Sequence, residues 1–417
     1  MKVKSKTLYT WAIALLLLLD INFFYLISQP DFLGQYNSMY NKALIAIISL
    51  ILGGVCLGRH GSFFREYKYV KNYCMLVTVL SVLLIVHGLI TYSQSILSLL
   101  RNCDYLLIGF LAIPILYTLR DERSFYSFMK LLNVYAGIWY FLIIVQSILY
   151  TATGSMFLNY FTGEYVWYRN GVRISLFSVG SLMVYYNFYM AFDEFQSRSH
   201  RLKYFIMLIV GVYATLFVQQ TRSIDFAMVL AFAIMYLMKS KNAKRTLQNY
   251  GIVIVAFAAL WFSGVLGSFF ASFFAGSNYI RSTTLRQEAF LYFAQYWVKH
   301  PLFGMGLTNN EVLTRGPIGR YYMSDVGFVG VLAKTGIAAF VLYGSILWRW
   351  FKIIGKLRKS TDARYKSISV LLIGLAVYFI APVYAMSVYA NAYCISIPIM
   401  IAIFEYWNWD YNTSKDK

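Results

Sequence analysis

Residues 131–150 read LLNVYAGIWYFLIIVQSILY, a run without one charged side chain. A helix that crosses the hydrocarbon of a bilayer needs about 20 such residues, because every amide there must find its partner inside the segment. Arg120, Arg123 and Lys130 stand before the run, and basic residues collect on the cytoplasmic side of a membrane. The same alternation continues outward in both directions. Apolar runs at 8–27, 43–58, 73–90, 105–119, 131–150, 172–192, 204–219, 224–238, 247–269, 326–348, 367–385 and 389–404 predict an all-α, polytopic integral membrane protein of about twelve transmembrane helices. The last two could also be one long span with a re-entrant piece, broken near Pro382–Asn391.

Composition agrees. Of 417 residues, 59% are hydrophobic and 13% charged, with a formal charge of +20. A soluble domain carries about a quarter charged residues, and a disordered basic chain lacks apolar mass. Nucleic acid is excluded as a partner, because Lys and Arg sit in short clusters between apolar runs. Lys2, Lys4 and Lys6 precede Leu8–Leu19 like a secretory signal, but no A-x-A-like site follows and the run continues to Ile27. The expectation is an uncleaved first span. Cys56, Cys74, Cys103 and Cys394 form no CxxC, and His60, His87, His200 and His300 lack ligand spacing. No metal site and no cofactor are expected.

With the N-terminus inside, cytoplasmic segments hold 26 of the 37 Lys and Arg, and the exterior holds 11. Both termini are thus expected in the cytoplasm of a single membrane domain, 1–417. Eight of the exterior cations are arginines: Arg101, Arg169, Arg173, Arg222, Arg281, Arg286, Arg315 and Arg320. Insertion does not ask for arginine outside. A site that grips phosphate does, because the guanidinium offers a planar fork of donors.

The exterior segment 270–325 is far longer than the others, and long loops in compact folds are commonly functional. Thr284-x-x-Gln287 reads as a capping box for a helix from Leu285 to Lys299. Phe290, Phe293, Ala294 and Trp297 mark one apolar face of an amphipathic helix on the membrane surface. His300-Pro301 ends it, and Gly304-Met305-Gly306 makes a turn. Arg281 and Arg286 would lie around its first turn, where cations oppose the helix dipole unless an anion joins them. The short turn Gln219-Gln220-Thr221-Arg222-Ser223 pins Arg222 at the outer surface. Ser324-Asp325 stands where span ten begins, so Asp325 suits either a general base or a helix cap. The loop 151–171, with Glu164 and Arg169, and the adjoining Arg173 mix charge and aromatics as sugar sites do. Asp20, inside span one, is expected to pair with a polar group on a neighbouring helix.

The order Thr221-Arg222-Ser223, then Leu285-Arg286-Gln287…Trp297-Val298-Lys299-His300-Pro301-Leu302-Phe303-Gly304-Met305-Gly306, then Ser324-Asp325-Val326-Gly327 and Gly336-Ile337, resembles the O-antigen ligase/polymerase superfamily. That superfamily includes the Wzy-type polymerases of capsule, exopolysaccharide and O-antigen repeat units. The resemblance covers about 215–345, and elsewhere rests on span count. It implies an inverting, metal-independent membrane glycosyltransferase at the outer face of a bacterial cytoplasmic membrane. Its substrates would be undecaprenyl-pyrophosphate-linked oligosaccharides, its partners a flippase and a chain-length regulator. Arg222 and Arg286 match the pyrophosphate-binding arginines, with Arg281 as a helper; apart from the resemblance, the exterior arginines Arg169, Arg173, Arg315 and Arg320 are expected as further substrate contacts. Ligases carry a histidine near the end of the loop; here Ser324-Asp325 stands there, which favours a polymerase and makes Asp325 the expected base. A ligase, or a transporter of lipid-linked oligosaccharide, is the alternative.

Overall fold

A computed structural model of the chain describes residues 5–21, 23, 38–101, 103–154, 166–168, 172–174, 178–239, 248, 251–252, 255, 277–307, 321–384 and 394–415. Its helices are α1 (Ser5–Asp20), α2 (Ser38–His60), α3 (Lys68–Tyr92), α4 (Ile96–Arg101), α5 (Asp104–Leu107), α6 (Ala112–Thr118) and α7 (Glu122–Thr153). A hairpin of β1 (Val166–Tyr168) and β2 (Val172–Ile174) follows, pairing Trp167 with Arg173. Then come α8 (Gly180–Phe192), α9 (Arg198–Tyr213), α10 (Arg222–Met238), α11 (Ser277–Lys299), α12 (Gly327–Thr335), α13 (Ala338–Arg358), α14 (Ala363–Ile380) and α15 (Ser396–Lys415). The class is all-α, and the hairpin is the only β structure among the described residues.

Five helical stretches are long and apolar enough to cross a membrane: Lys42–His60, Lys68–Tyr92, Glu122–Thr153, Arg198–Gln219 and Ala363–Val383. Their surfaces read the same way. Met75, Ile90 and Phe217 are more than 60% exposed, while Trp139 and Tyr378 are buried. A soluble helix would place polar residues on its outer face. Start signals are local and ordinary. Asp121 accepts from Ser124 N at 2.7 Å to open α7, Ser197 from His200 N at 3.3 Å to open α9, and Asp362 from Arg364 N at 2.8 Å to open α14.

Several expected boundaries move. Span six is not one helix over 172–192: residues 172–174 are β2, and α8 begins only at Gly180. Span four is a chain of short turns, α5, a 3-10 turn Ile108–Leu111 and α6. Span ten breaks at Gly336, where φ is 60° and ψ −147°, so α12 and α13 are separate helices. Span eleven ends at Ile380 and passes into a 3-10 turn, Ala381–Tyr384, in which Pro382 has no amide hydrogen to give. The final helix is described as Ser396–Lys415, and residues 389–393, where its span is expected to begin, lie outside the described residues. Span nine lies almost wholly outside the described residues.

Buried polar pairs fix how the helices meet. Tyr135 of α7 donates to Asp20 Oδ2 at 2.5 Å, and Val179 N approaches the same oxygen at 3.4 Å. Asp20 thus joins α1 to α7 and to the start of α8, the pairing its sequence position predicts. Arg349 of α13 forms a bidentate pair with Glu405 of α15, at 2.6 and 2.8 Å. The Glu405 side chain is only 3% exposed, so removing either partner leaves a charge stranded, a loss of about 3–5 kcal/mol.

Candidate functional site

The turn that carries Arg222 is built from unusual backbone. Helix α9 widens at its end into a π-helix, Ala214–Gln219, a form concentrated at functional sites. Gln220 then takes a left-handed conformation, φ 48° and ψ 44°, with its N–H given to Thr215 O at 2.9 Å. A residue with a Cβ pays about 1–3 kcal/mol to sit there. Thr221 is extended, and its carbonyl accepts from Ile224 N and Asp225 N at 2.8 and 2.9 Å to start α10.

Arg173 holds this turn in place. Its Nε donates to Gln219 O at 2.9 Å and its Nη2 to Thr221 Oγ1 at 3.3 Å. The clamp reaches from β2, so the hairpin beside the α8 start and the Arg222 turn form one unit. Arg222, half-buried with one terminal nitrogen fully buried, is the first residue of α10. The Arg173 guanidinium therefore adjoins the turn that leads into α10, whose first residue is Arg222, and a helix start favours an anion. One turn further on, the Asp225 carboxylate is 7% exposed. Sequence reading passed over it, though a carboxylate inside an apolar run is itself a signal.

The loop helix α11 begins at Ser277, so Thr284 is well inside it and caps nothing. Arg281 and Arg286 consequently belong to the body of the helix rather than its entrance. Of the expected apolar face, Phe293 is buried and Ala294 and Trp297 are half-buried, and Phe290 alone departs from it. Leu285, Ala289, Tyr292, Phe293 and Tyr296 pack with Met305, Tyr321, Val326 and Ala333, whereas Phe290 is 45% exposed. Arg286 points away from that cluster and is exposed. Glu288, half-buried, accepts from the Tyr321 hydroxyl at 2.9 Å. Burial, and then this carboxylate, hold the Tyr321 hydroxyl above the ordinary tyrosine range.

The Pro301–Gly306 turn acts as a wedge. Met305 N donates to Ala333 O at 2.7 Å, and Ile337 N to Pro301 O at 2.8 Å. A Cβ on Gly304 (φ 56°) would lie 2.2 Å from Ala333 O, and one on Gly336 would lie 2.3 Å from the Leu302 carbonyl. Only glycine fits either place. On the other side, His87 Nε2 and Tyr92 Oη reach Gly304 O at 3.3 and 3.5 Å. The turn thus seals the α12–α13 break against the end of α3.

Asp325 lies in the 3-10 turn Met323–Val326 and is exposed. It does not cap α12, whose N-cap position is Val326 with no side-chain bond. The Ala381–Tyr384 turn touches both α10 and α12. Because Arg358, just before α14, reaches Met238 O at the far end of α10, that turn lies toward the Arg222 end. Arg222 and the loop cluster are thereby linked through one short element. Arg169, Arg315 and Arg320 lie outside the described residues, and Arg281 is described in its backbone alone.

Among the described residues no group of three or more His, Cys, Asp or Glu side chains is arranged to hold a metal. In comparisons with known proteins, no family model and no curated protein sequence matches the chain.

Proposed function

We propose that the chain is a membrane glycosyltransferase that polymerises undecaprenyl-pyrophosphate-linked oligosaccharide repeat units at the outer face of a bacterial cytoplasmic membrane. In this reading it has twelve spans, both termini in the cytoplasm, and a loop over 270–325 that covers the reaction. The observation that supports it best is the Arg173 clamp on the Gln219–Thr221 turn. It spends a second guanidinium and a strained backbone on holding Arg222 at a helix start, which a mere interfacial anchor does not need.

The chemistry follows from charge. A pyrophosphate leaving group carries its negative charge before and after the C–O bond breaks, and gains more as it leaves. Arg222, Arg173 and the first amides of α10 would neutralise that gain, and Arg286 would grip from the loop side. An acceptor hydroxyl attacks the anomeric carbon from the face opposite the pyrophosphate and inverts it. Its proton passes to a carboxylate, for which Asp325 is the candidate. The glycosidic bond forms, the bond to the pyrophosphate oxygen breaks, and undecaprenyl pyrophosphate departs.

Deletion of the chain from its host, followed by electrophoresis of surface polysaccharide, tests this. Loss of long chains with survival of single repeat units supports a polymerase. Loss of single repeats as well points to transport of the lipid-linked unit, and unchanged long chains reject both.

A further inference from the structure

At the opposite end of α10 from Arg222 lies a cavity of about 420 Å3 between α8, α10 and α14. Its walls include Phe188, Phe192 and Tyr236: the Phe188 and Phe192 ring centres lie 4.8 Å apart, and Phe192 meets Tyr236 edge-on at 6.5 Å. Its rim is basic, with Lys239, Arg358 and Lys366. Of the two acids that line it, Asp193 is buried and hydrogen-bonded into the wall, accepting from Ser367 Oγ at 3.2 Å and from Phe195 N at 3.4 Å. Glu194 is exposed at the edge. The lining therefore carries one net positive charge, the complement of a single phosphodiester.

We propose that this cavity binds one anionic phospholipid, its phosphate held by Arg358 and Lys366 and an acyl chain laid along Phe188, Phe192 and Tyr236. Depth supports it. Helix α10 has 17 residues, so its two ends lie about 25 Å apart, close to the hydrocarbon thickness of a bilayer of about 30 Å. A cavity at the end of such a helix meets lipid headgroups, and basic pockets between membrane helices are where anionic headgroups bind. Arg358 gives one N–H to Met238 O at 3.5 Å and keeps further donors of its fork for the phosphate. The aromatic walls offer nothing to a small inorganic anion and suit a chain. A bound lipid would tie the ends of α8, α10 and α14 together at the face away from Arg222, independently of what reaction the chain performs.

The test uses purified full-length protein equilibrated with detergent micelles containing phosphatidylglycerol or phosphatidylcholine, with retained lipid counted by native mass spectrometry. One phosphatidylglycerol per chain should be retained and phosphatidylcholine should not. The exposed pair Arg358→Gln and Lys366→Gln together should weaken retention about 30-fold, the effect of removing two interfacial cations. Equal retention of the two lipids by the unaltered protein would overturn the proposal without recourse to any variant. So would unchanged retention by the double variant, or displacement of the lipid by inorganic phosphate, which would mark a plain anion site.

Discussion

Arg173 donates two hydrogen bonds into the Gln219–Thr221 turn, 2.9 Å to a carbonyl and 3.3 Å to the Thr221 hydroxyl, from a strand 46 residues earlier in the chain. The next residue along the chain is Arg222. Under the proposed function Arg173 would act through the turn that precedes Arg222, so the two have separable effects.

Arg173→Ala should leave insertion and expression normal but loosen the turn, and Gln220 would then relax from its left-handed conformation. A displacement near 1 Å costs about 100-fold in rate when geometry controls the reaction. Arg173→Lys should recover little, because a single ammonium cannot span both acceptors as the fork does. Polymer length in cells carrying each variant is the readout. Full-length polymer from Arg173→Ala would show that the clamp is dispensable.

Arg222→Ala and Arg286→Ala should each abolish chain extension with protein level unchanged. Their lysine variants should retain a small fraction of activity, since charge remains and the bidentate match does not. Normal polymer from both alanine variants removes these residues from the reaction.

Asp325→Asn and Asp325→Ser separate proton transfer from architecture. Asp325 is exposed and does not cap α12, and thermal melting of each variant shows whether a loss of activity comes from the fold. Loss of the base should slow extension by about 100-fold or more. Asp225→Asn is the companion measurement. If it alone stops extension while both Asp325 variants work, the base is the buried carboxylate one turn beyond Arg222.

Gly304→Ala and Gly336→Ala should each destabilise the protein by at least about 2 kcal/mol, through a positive φ and a backbone carbonyl within 2.3 Å of the new Cβ. Thermal melting in detergent measures this. Gly344→Ala, inside α13 with nothing within 4 Å, is the control and should melt at the same or a slightly higher temperature.

The helices are legible in the sequence because their cause is local: apolar runs such as 131–150, bounded by charges and caps, need no knowledge of neighbours. The place of Arg222 in a short turn and the Asp20 pairing are legible for a related reason, since a charge beside or inside an apolar run is conspicuous. The break at Gly336 is not. It depends on the Leu302 carbonyl, more than thirty residues away, and an apolar run reads on straight through it. The start of α11 misreads because Thr284-x-x-Gln287 imitates a cap while the helix begins at Ser277. Its face is read correctly at Phe293 and wrongly at Phe290, because packing against Tyr321 and Met305 favours Ala289 and Tyr292 instead. Arg173 reads as a loosely placed sugar contact; its grip on Thr221 exists only once the hairpin folds against the end of α9.

The most direct measurement uses the purified full-length protein in liposomes, supplied only with undecaprenyl-pyrophosphate-linked oligosaccharide and a chelator. A polymerase should yield a ladder of longer glycans, releasing one undecaprenyl pyrophosphate for each new glycosidic bond, with no metal added. Absence of any new glycosidic bond, or a ladder that forms only when a divalent ion is restored, would contradict it.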